Sequence, residues 1–256
     1  MRTWGVDLST SAPGTGVVSV QWVTGEPGVF ACHRGNARRR DDLVDKIAAT
    51  AGTDWWAVDV PFGWPDGWAD FLSRHVDGPA ELPPAPPDDE RPWAGVARRA
   101  TDLQVIGRRF TDRSPTPGFS VTFDKLGATA AAWSWIEWQL QSRHGLVIDR
   151  AGVADEIKVC ETYPAAVWRK WFTTGNPVSV GDEKLQGHLG TILRPVDGRW
   201  TMTPHERDAL ICACVARARA AGRTVAPSPN LLDRARREGW IHLQRDDVTI
   251  ANLGER

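Results

Sequence analysis

The chain has 256 residues, enough to bury a hydrophobic core without disulfides, metals or a partner chain. Its composition, 41% hydrophobic and 25% charged, is that of a globular protein and excludes a disordered chain. The net charge of −1 does not support a broad basic surface, so any polyanion must be bound locally.

The N-terminal residues run directly into a strand-like pattern, and no apolar stretch approaches membrane-spanning length. We therefore expect a cytoplasmic protein with no membrane contact. The four cysteines lack CxxC spacing, which predicts free and mostly buried thiols in a reducing compartment.

The first sixty residues predict a β-β-β-α-β order. Extended patterns cover 3–8, 15–22 and 28–33, followed by a helical pattern over 37–51 and a fourth strand over 55–60. Glycines between the first three strands favour tight turns and an antiparallel meander. The fourth strand, WWAVDV, is almost continuously apolar and follows a helix. It is therefore predicted to be central, covered on both faces and parallel to the first strand.

Residues 61–95 form a Pro/Trp-rich insertion within what we expect to be a single domain, 1–256. Eight of the 18 prolines lie between 61 and 93, which argues against a regular strand or a long helix. The insertion is either a lid or binding loop at the end of a central strand, or a packed irregular cover.

The rest of the chain predicts further helices and a fifth strand. Helical patterns cover 94–110, 125–144, 164–171, 182–193 and 204–221, the fifth strand covers 156–162, and a last helix and strand lie near 230–243. The predicted fold is α/β, a mixed sheet of about five main strands flanked by helices. Strands 1 to 3 are expected to be antiparallel, and strands 4 and 5 parallel.

Acidic residues end three of the predicted strands, and a fourth lies on a helix. Asp7, Asp59 and Glu161 close the segments WGVD, WWAVD and IKVCE. Parallel strands bring their carboxyl ends to one edge of a sheet, where ligand sites of α/β proteins collect. Asp208 lies on the apolar stripe of the helix predicted over 204–221, which begins with the capping box TPHE.

Carboxylates that share a site repel each other and lose hydration, so they need compensation. A hard divalent cation provides it, because Mg²⁺ or Mn²⁺ prefers oxygen ligands and a metal pair can stabilise both oxygens in phosphodiester cleavage. The alternative gives each acid a local role, as a turn or cap residue, or, for Asp208, as a partner of an arginine or of the helix dipole. Spacing alone leaves both interpretations open.

Five segments, in this order, resemble the DUF429 family: GVDLSTSAPGTGVV, WWAVDVPFGWP, RRATD at 98–102, ETYPAAVWRKW at 161–171 and HERDALICACVARA at 205–218. The resemblance implies a ribonuclease H-like fold and a predicted nuclease activity. It also implies that Asp7, Asp59 and Asp208 are the acidic positions that bind the metal, with Glu161 and Asp102 as further candidates. In this hypothesis Asp7 bridges the Mg²⁺ or Mn²⁺ ions, and Glu161 is a ligand or orients the attacking water.

Other polar residues are candidates for substrate binding. Arg98, Arg99 and Asp102 share one helical segment, which predicts either a phosphate clamp or an exposed ion pair between Arg98 and Asp102. Ser9 and the hydroxyl residues after it either bind a phosphate or shape the turn, and the turn is favoured. The six histidines lack metal-binding spacing and predict neither a zinc site nor a general base.

The leading hypothesis is a metal-dependent nuclease acting on DNA or RNA by metal-activated attack of water on phosphorus. A second is an ATP-dependent phosphotransferase of the actin-like superfamily, whose first hairpin also carries an Asp and a Gly/Ser/Thr turn. The lack of a GxxxxGKS loop weakens it. A third is a catalytically silent module that binds a partner through the Pro/Trp-rich insertion. A metal titration separates the third hypothesis from the others, and ATP binding identifies the second.

Overall fold

The protein is built on one mixed sheet. The structure, a computed structural model, describes residues 1–35, 39–84, 93–107, 122, 126–172 and 181–253. The strands are β1 (Arg2–Asp7), β2 (Gly16–Val23), β3 (Glu26–Cys32), β4 (Trp55–Asp59), β5 (Val159–Thr162) and β6 (Leu193–Pro195). Their order in the sheet is β5-β4-β1-β2-β3-β6.

The directions of the strands confirm the predicted fold class. β1, β2 and β3 form an antiparallel meander, β4 is parallel to β1, and β5 is parallel to β4. This arrangement is consistent with a ribonuclease H-like sheet. β6 adds a sixth strand beside β3, in a segment whose start the sequence pattern assigned to a helix. Three residues are too few for a strand periodicity to be visible in a sequence.

The helices flank the sheet, and two predicted elements need correction. The helices are α1 (Arg40–Thr50), α2 (Trp68–Val76), α3 (Ala94–Ala97), α4 (Ala100–Gly107), α5 (Leu126–His144), α6 (Pro164–Phe172), α7 (Asp182–Leu189), α8 (Pro204–Ala220) and α9 (Leu232–Glu238). The helix predicted over 94–110 is two helices, because Arg98 has extended backbone angles, and its last residues lie outside the described ones. The strand predicted before residue 243 makes only isolated bridges, one of them from Ile241 to Glu161.

Side chains alternate between the two faces of the sheet, so two cores form. On one face Trp4 and Trp56 stack with ring centroids 4.8 Å apart, below α1 and α5. On the other face Ala57 packs with α8, the helix in closest association with β1, β2 and β4. The apolar pattern of β4 is therefore explained by burial on both faces, as predicted.

Two glycines allow α8 to lie directly on the sheet. A Cβ atom at Gly5 would overlap the carbonyl of Ala209, and one at Gly16 would overlap the carbonyl of His205. The predicted capping box is confirmed: the Thr203 hydroxyl accepts from the Glu206 N–H at 3.2 Å, and the Glu206 carboxylate accepts from the Thr203 N–H at 2.8 Å. The close approach holds the first turn of α8 against the ends of β1 and β2.

Three further predictions concern the thiols, the membrane and the insertion. All four cysteines are free, and Cys160, Cys212 and Cys214 are buried, as expected. Among the described residues no helix combines the length and apolar character needed to cross a lipid bilayer. The described part of the Pro/Trp-rich insertion contains α2, whose nine residues agree with the prediction that it holds no long helix.

Candidate active site

The ends of β1 and β4 bring two aspartates together. Asp7 pairs with Asp59 in the parallel register, and Asp59 pairs with Thr162 of β5. Residues paired across a sheet point to the same face. Asp59 follows Ala57 by two positions and therefore faces α8, as does Asp7. The structure thus places both acids at one edge of the sheet, as the strand patterns predict.

Asp59 is a largely buried carboxylate without a compensating contact. No hydrogen bond to its side chain is found from the residues that the structure describes. Burial raises the pKa of Asp59 well above its usual value, and the negative charges of Asp7, Asp208 and Glu161 raise it further. The fold therefore holds this carboxylate where its ionised form is unstable.

Asp208 lies on α8 itself and completes the set of acids between this helix and the sheet. We call Asp7, Asp59 and Asp208 the aspartate cluster. The indole of Trp168 donates a hydrogen bond of 2.9 Å to Asp208 Oδ1. Burial raises the pKa of Asp208 to about 6, and Asp7 adds to this shift, while the Trp168 bond opposes it. Asp208 faces the sheet because it lies on the apolar stripe of α8.

His205 is a site residue that the sequence analysis missed. Its ring Nδ1 lies 2.6 Å from Asp7 Oδ2. Its side chain is 48% exposed, whereas that of Asp7 is 15% exposed. His205 and Asp208 are three residues apart on α8 and share a helix face, which is the only sequence signal for this contact.

Glu161 lies outside the aspartate cluster, which corrects the sequence analysis. It pairs with Val58 in the register of β4 and β5, one residue before Asp59. A displacement of one residue places a side chain on the opposite face of the sheet. There the Glu161 carboxylate accepts hydrogen bonds from Arg99 and from the backbone N–H of Phe62, the latter at 3.0 Å.

Arg99 is the centre of a buried ionic group, and we call Arg99, Asp102 and Glu161 the arginine cluster. The Arg99 side chain is 1% exposed, and it contacts Glu161 at 2.7 Å and Asp102 at 2.9 Å. Its other bonds go to a second oxygen of each carboxylate and to the carbonyl of Glu238. All five N–H donors of the guanidinium are therefore engaged.

This geometry contradicts one sequence interpretation of the arginines and disfavours the other for Arg99, while a phosphate contact of Arg98 stays a prediction. Asp102 pairs with Arg99 in the interior, so the expected exposed ion pair with Arg98 is wrong. A phosphate clamp by Arg99 is disfavoured, because it has no donor left. Burial would lower the pKa of Arg99, but Asp102 and Glu161 raise it above its usual value. The pKa of Glu161 is also raised, because burial outweighs the effect of Arg99.

The hydroxyl residues after β1 shape a turn, which was the favoured interpretation. Ser9 Oγ accepts from the N–H of Ser11, and Ser11 Oγ accepts from the N–H of Gly14, each at 3.3 Å. Arg40 donates to the carbonyls of Ser9 and Thr10. Ser9 therefore has a local structural role, and its predicted contact with phosphate remains a prediction.

The donor set suits a hard cation, but the side chains are not arranged around one. Across the described ranges, no group of three or more His, Cys, Asp or Glu residues is placed to hold a metal ion. Nevertheless, the aspartate cluster offers only oxygen donors, and one of its members has no hydrogen-bond donor of its own. Rotation of the aspartate side chains would be needed to enclose a cation.

Comparison with known proteins gives one match. The family model described as protein of unknown function (DUF429) matches residues 5–231. No curated protein matches the chain. No solved structure matches it either.

Proposed function

The chain belongs to the DUF429 family, and we propose that it is a divalent-metal-dependent hydrolase of phosphodiesters, acting on nucleic acid at the aspartate cluster. The environment of the Asp59 carboxylate is the observation that supports this proposal. Asp59 is a largely buried carboxylate that lacks a hydrogen-bond donor among the described residues and is repelled by Asp7 and Asp208. Such a group lowers the stability of the protein if its role is only structural, whereas a bound cation would compensate its negative charge.

The chain's own residues would hold and orient the reacting groups. Asp7, Asp59 and Asp208 would bind Mg²⁺ or Mn²⁺, which when bound polarises a phosphoryl oxygen and lowers the pKa of a bound water. His205 and Trp168 each hold one oxygen of an aspartate, as partners that orient metal ligands do. In this proposal Glu161 is not the base that orients water, since Arg99 and Phe62 engage its carboxylate.

The substrate proposed is a flexible, single-stranded nucleic acid bound through a few phosphates. The net charge of −1 provides little long-range attraction. Positive charge near the site comes from Arg207 and, when its ring is protonated, from His205, and both lower the pKa of Asp208. Two or three phosphate contacts would give a shallow salt dependence, with a slope of log affinity against log salt of about −0.7 per contact.

Cleavage assays on labelled oligonucleotides test this function. Single-stranded, duplex and branched substrates are incubated with Mg²⁺, with Mn²⁺ and with EDTA. We expect cleavage of the single strand only with metal, and its loss in Asp59→Asn, because metal ligands act as a unit. Asp70→Asn is the matched control, since its carboxylate is 71% exposed on α2.

Two results would overturn the proposal. Full metal-dependent cleavage by Asp59→Asn would show that this acid is not part of the machinery. Saturable binding of ATP, with no cleavage of any oligonucleotide, would favour the phosphotransferase hypothesis instead. In both experiments circular dichroism verifies that each variant is folded.

A further inference from the structure

A half-open pocket lies next to the aspartate cluster, on the side of β5. Its volume is about 130 Å³. Asp59 forms part of its wall, so the pocket begins where the aspartate cluster ends. Ligand sites of α/β sheets collect at the carboxyl ends of parallel strands, which is the position of this pocket beyond β4 and β5.

The pocket is mostly apolar. Val60, Val105, Leu126, Tyr163 and Ile241 contribute to its lining. A cavity of roughly 150 Å³ with apolar walls can accept a benzene ring, so this pocket has room for one planar ring. Its size and lining therefore suit a single-ring aromatic or heterocyclic group.

The polar wall of the pocket is rich in acceptors and poor in donors. The arginine cluster forms this wall. All five N–H groups of Arg99 are bound to protein acceptors, and the Thr162 hydroxyl donates to the carbonyl of His242 at 2.9 Å. The carboxylates of Asp102 and Glu161 retain acceptor capacity. A ligand that enters here must donate hydrogen bonds, and a phosphate would be repelled.

We propose that this pocket binds the base of the nucleotide next to the scissile phosphate, and that it selects cytosine. Cytosine is a single ring and carries an exocyclic amino group, so it can donate to the carboxylates of the wall. Uracil and thymine present a carbonyl oxygen at the same position, and the second ring of a purine would extend beyond the enclosed part of the pocket. The assignment of this base to a substrate rests on the proposed function, and it deepens that function by naming a base preference.

Calorimetric titration with nucleosides tests the pocket directly. The full chain is titrated in EDTA with cytidine, uridine, thymidine, adenosine and ribose 5-phosphate. We expect saturable binding of cytidine, an affinity for uridine about tenfold lower because one hydrogen bond is replaced by a repulsive contact, and no binding of ribose 5-phosphate. Equal or tighter binding of uridine, or no binding of any nucleoside, overturns the proposal.

Variants that fill the pocket locate the binding. Val105→Phe places a ring inside it, and we expect the affinity for cytidine to fall at least about tenfold, since the ligand and the new side chain compete for one volume. Leu126→Trp provides a second variant at a partly exposed wall position, in case the buried substitution impairs folding. Val147→Phe is the control, at a side chain that is 67% exposed. Unchanged affinity in a folded pocket variant overturns the proposal.

Failure of the pocket and failure of the hydrolase give different results. Cytidine binding that is lost in Val105→Phe, without cleavage of any phosphodiester, supports the pocket and rejects the hydrolase. Metal-dependent cleavage that is equally fast at cytosine and uracil, with no nucleoside binding, supports the hydrolase and rejects the pocket.

Discussion

Two groups of acids lie near neighbouring strand ends, one buried and one partly exposed, and an arginine neutralises only the buried one. In the arginine cluster a guanidinium uses all five donors on two carboxylates and one backbone carbonyl. In the aspartate cluster no arginine or lysine of the described residues forms an ion pair with a member. The charges of the arginine cluster are neutralised within the cluster. Those of the aspartate cluster are not, so they require a positively charged group from outside the chain.

The difference separates a structural role from a functional one. A buried ion pair whose guanidinium donors are all engaged holds elements together and leaves no donor free for a phosphate. The arginine cluster joins β5, α4 and the last residue of α9 through contacts of Glu161, Asp102 and Glu238. A carboxylate such as Asp59, with a raised pKa and no hydrogen-bond donor among the described residues, is typical of sites that bind or react. Variants of each cluster should therefore behave in opposite ways.

The largest effect is expected from breaking the arginine cluster. Arg99→Met leaves two buried carboxylates without their partner and should reduce the free energy of unfolding by about 3 to 5 kcal/mol. Urea denaturation at pH 7 measures this loss. Arg74→Met removes an exposed i,i+4 pair on α2 and should cost less than about 1 kcal/mol. Equal losses in the two variants would contradict the comparison.

The buried His242, which lies near Glu161, makes the free energy of unfolding depend on pH. Burial lowers the pKa of His242 from 6.5 to about 4. Its Nε2 contacts the carbonyl of Ala151 at 2.9 Å, and its Nδ1 contacts the Thr224 hydroxyl at 3.0 Å, a pattern that fits the neutral ring. Because the pKa of His242 is lowered in the folded protein, the contribution of its neutral ring to the free energy of unfolding is fully present above pH 6.5. That contribution is lost as the pH falls towards 4, in total about 3 kcal/mol.

Denaturation at several pH values isolates this contribution. His242→Gln should unfold more easily at pH 7.5 but lose less stability than the wild type between pH 6.5 and 4. His75→Gln, at an exposed position of α2, is the control and should follow the wild-type profile. Parallel profiles for all three proteins would show that His242 is not buried in its neutral form.

In the aspartate cluster a substitution is expected to raise the free energy of unfolding, whereas in the arginine cluster it lowers it. Asp59→Asn removes the repulsion and should raise the free energy of unfolding measured without metal. Added Mg²⁺ or Mn²⁺ should raise the melting temperature of the wild type and leave that of the variant unchanged, since a ligand stabilises only the state that binds it. Destabilisation by Asp59→Asn would mean that the carboxylate has a structural partner.

The smallest effect on stability is expected at His205. Its side chain is about half exposed, so His205→Gln should change the free energy of unfolding by less than about 0.5 kcal/mol. Loss of the contact that orients Asp7 should nevertheless lower metal affinity about tenfold or more. Calorimetric titration with Mn²⁺ measures this affinity, with His75→Gln as the control. An unchanged affinity would show that His205 does not orient Asp7 as a metal ligand.

The strand-end acids could be predicted because each closes a clear pattern. WGVD and WWAVD identify Asp7 and Asp59 as the last residues of strands, and parallel pairing follows from the helix between them. Asp208 follows from the apolar stripe of α8. Glu161 was grouped with the aspartates because its strand also ends at this edge. The face to which it points could not be predicted, since β5 has four residues, all buried, and such a run does not reveal which residue points to which side.

The sequence contains little signal for two features, the break before α4 and the contact of His205 with Asp7. The helical pattern from 94 to 107 gives no sign of the extended backbone at Arg98 that precedes the buried Arg99. His205 lies in the first turn of a helix, where a polar residue usually faces solvent. It reaches Asp7 only because Gly16 allows the turn to approach the sheet.

The sequence by itself determined the fold class, the ends of the main strands, the start of α8 and the three aspartates, since these depend on periodicity and local capping. The tertiary structure alone decided which acids share a face and which acid meets an arginine. The register between strands and the depth at which a helix packs are set by contacts between residues distant in the chain. A one-residue difference in register therefore separates Asp59, which no arginine or lysine of the described chain neutralises, from Glu161, which Arg99 neutralises.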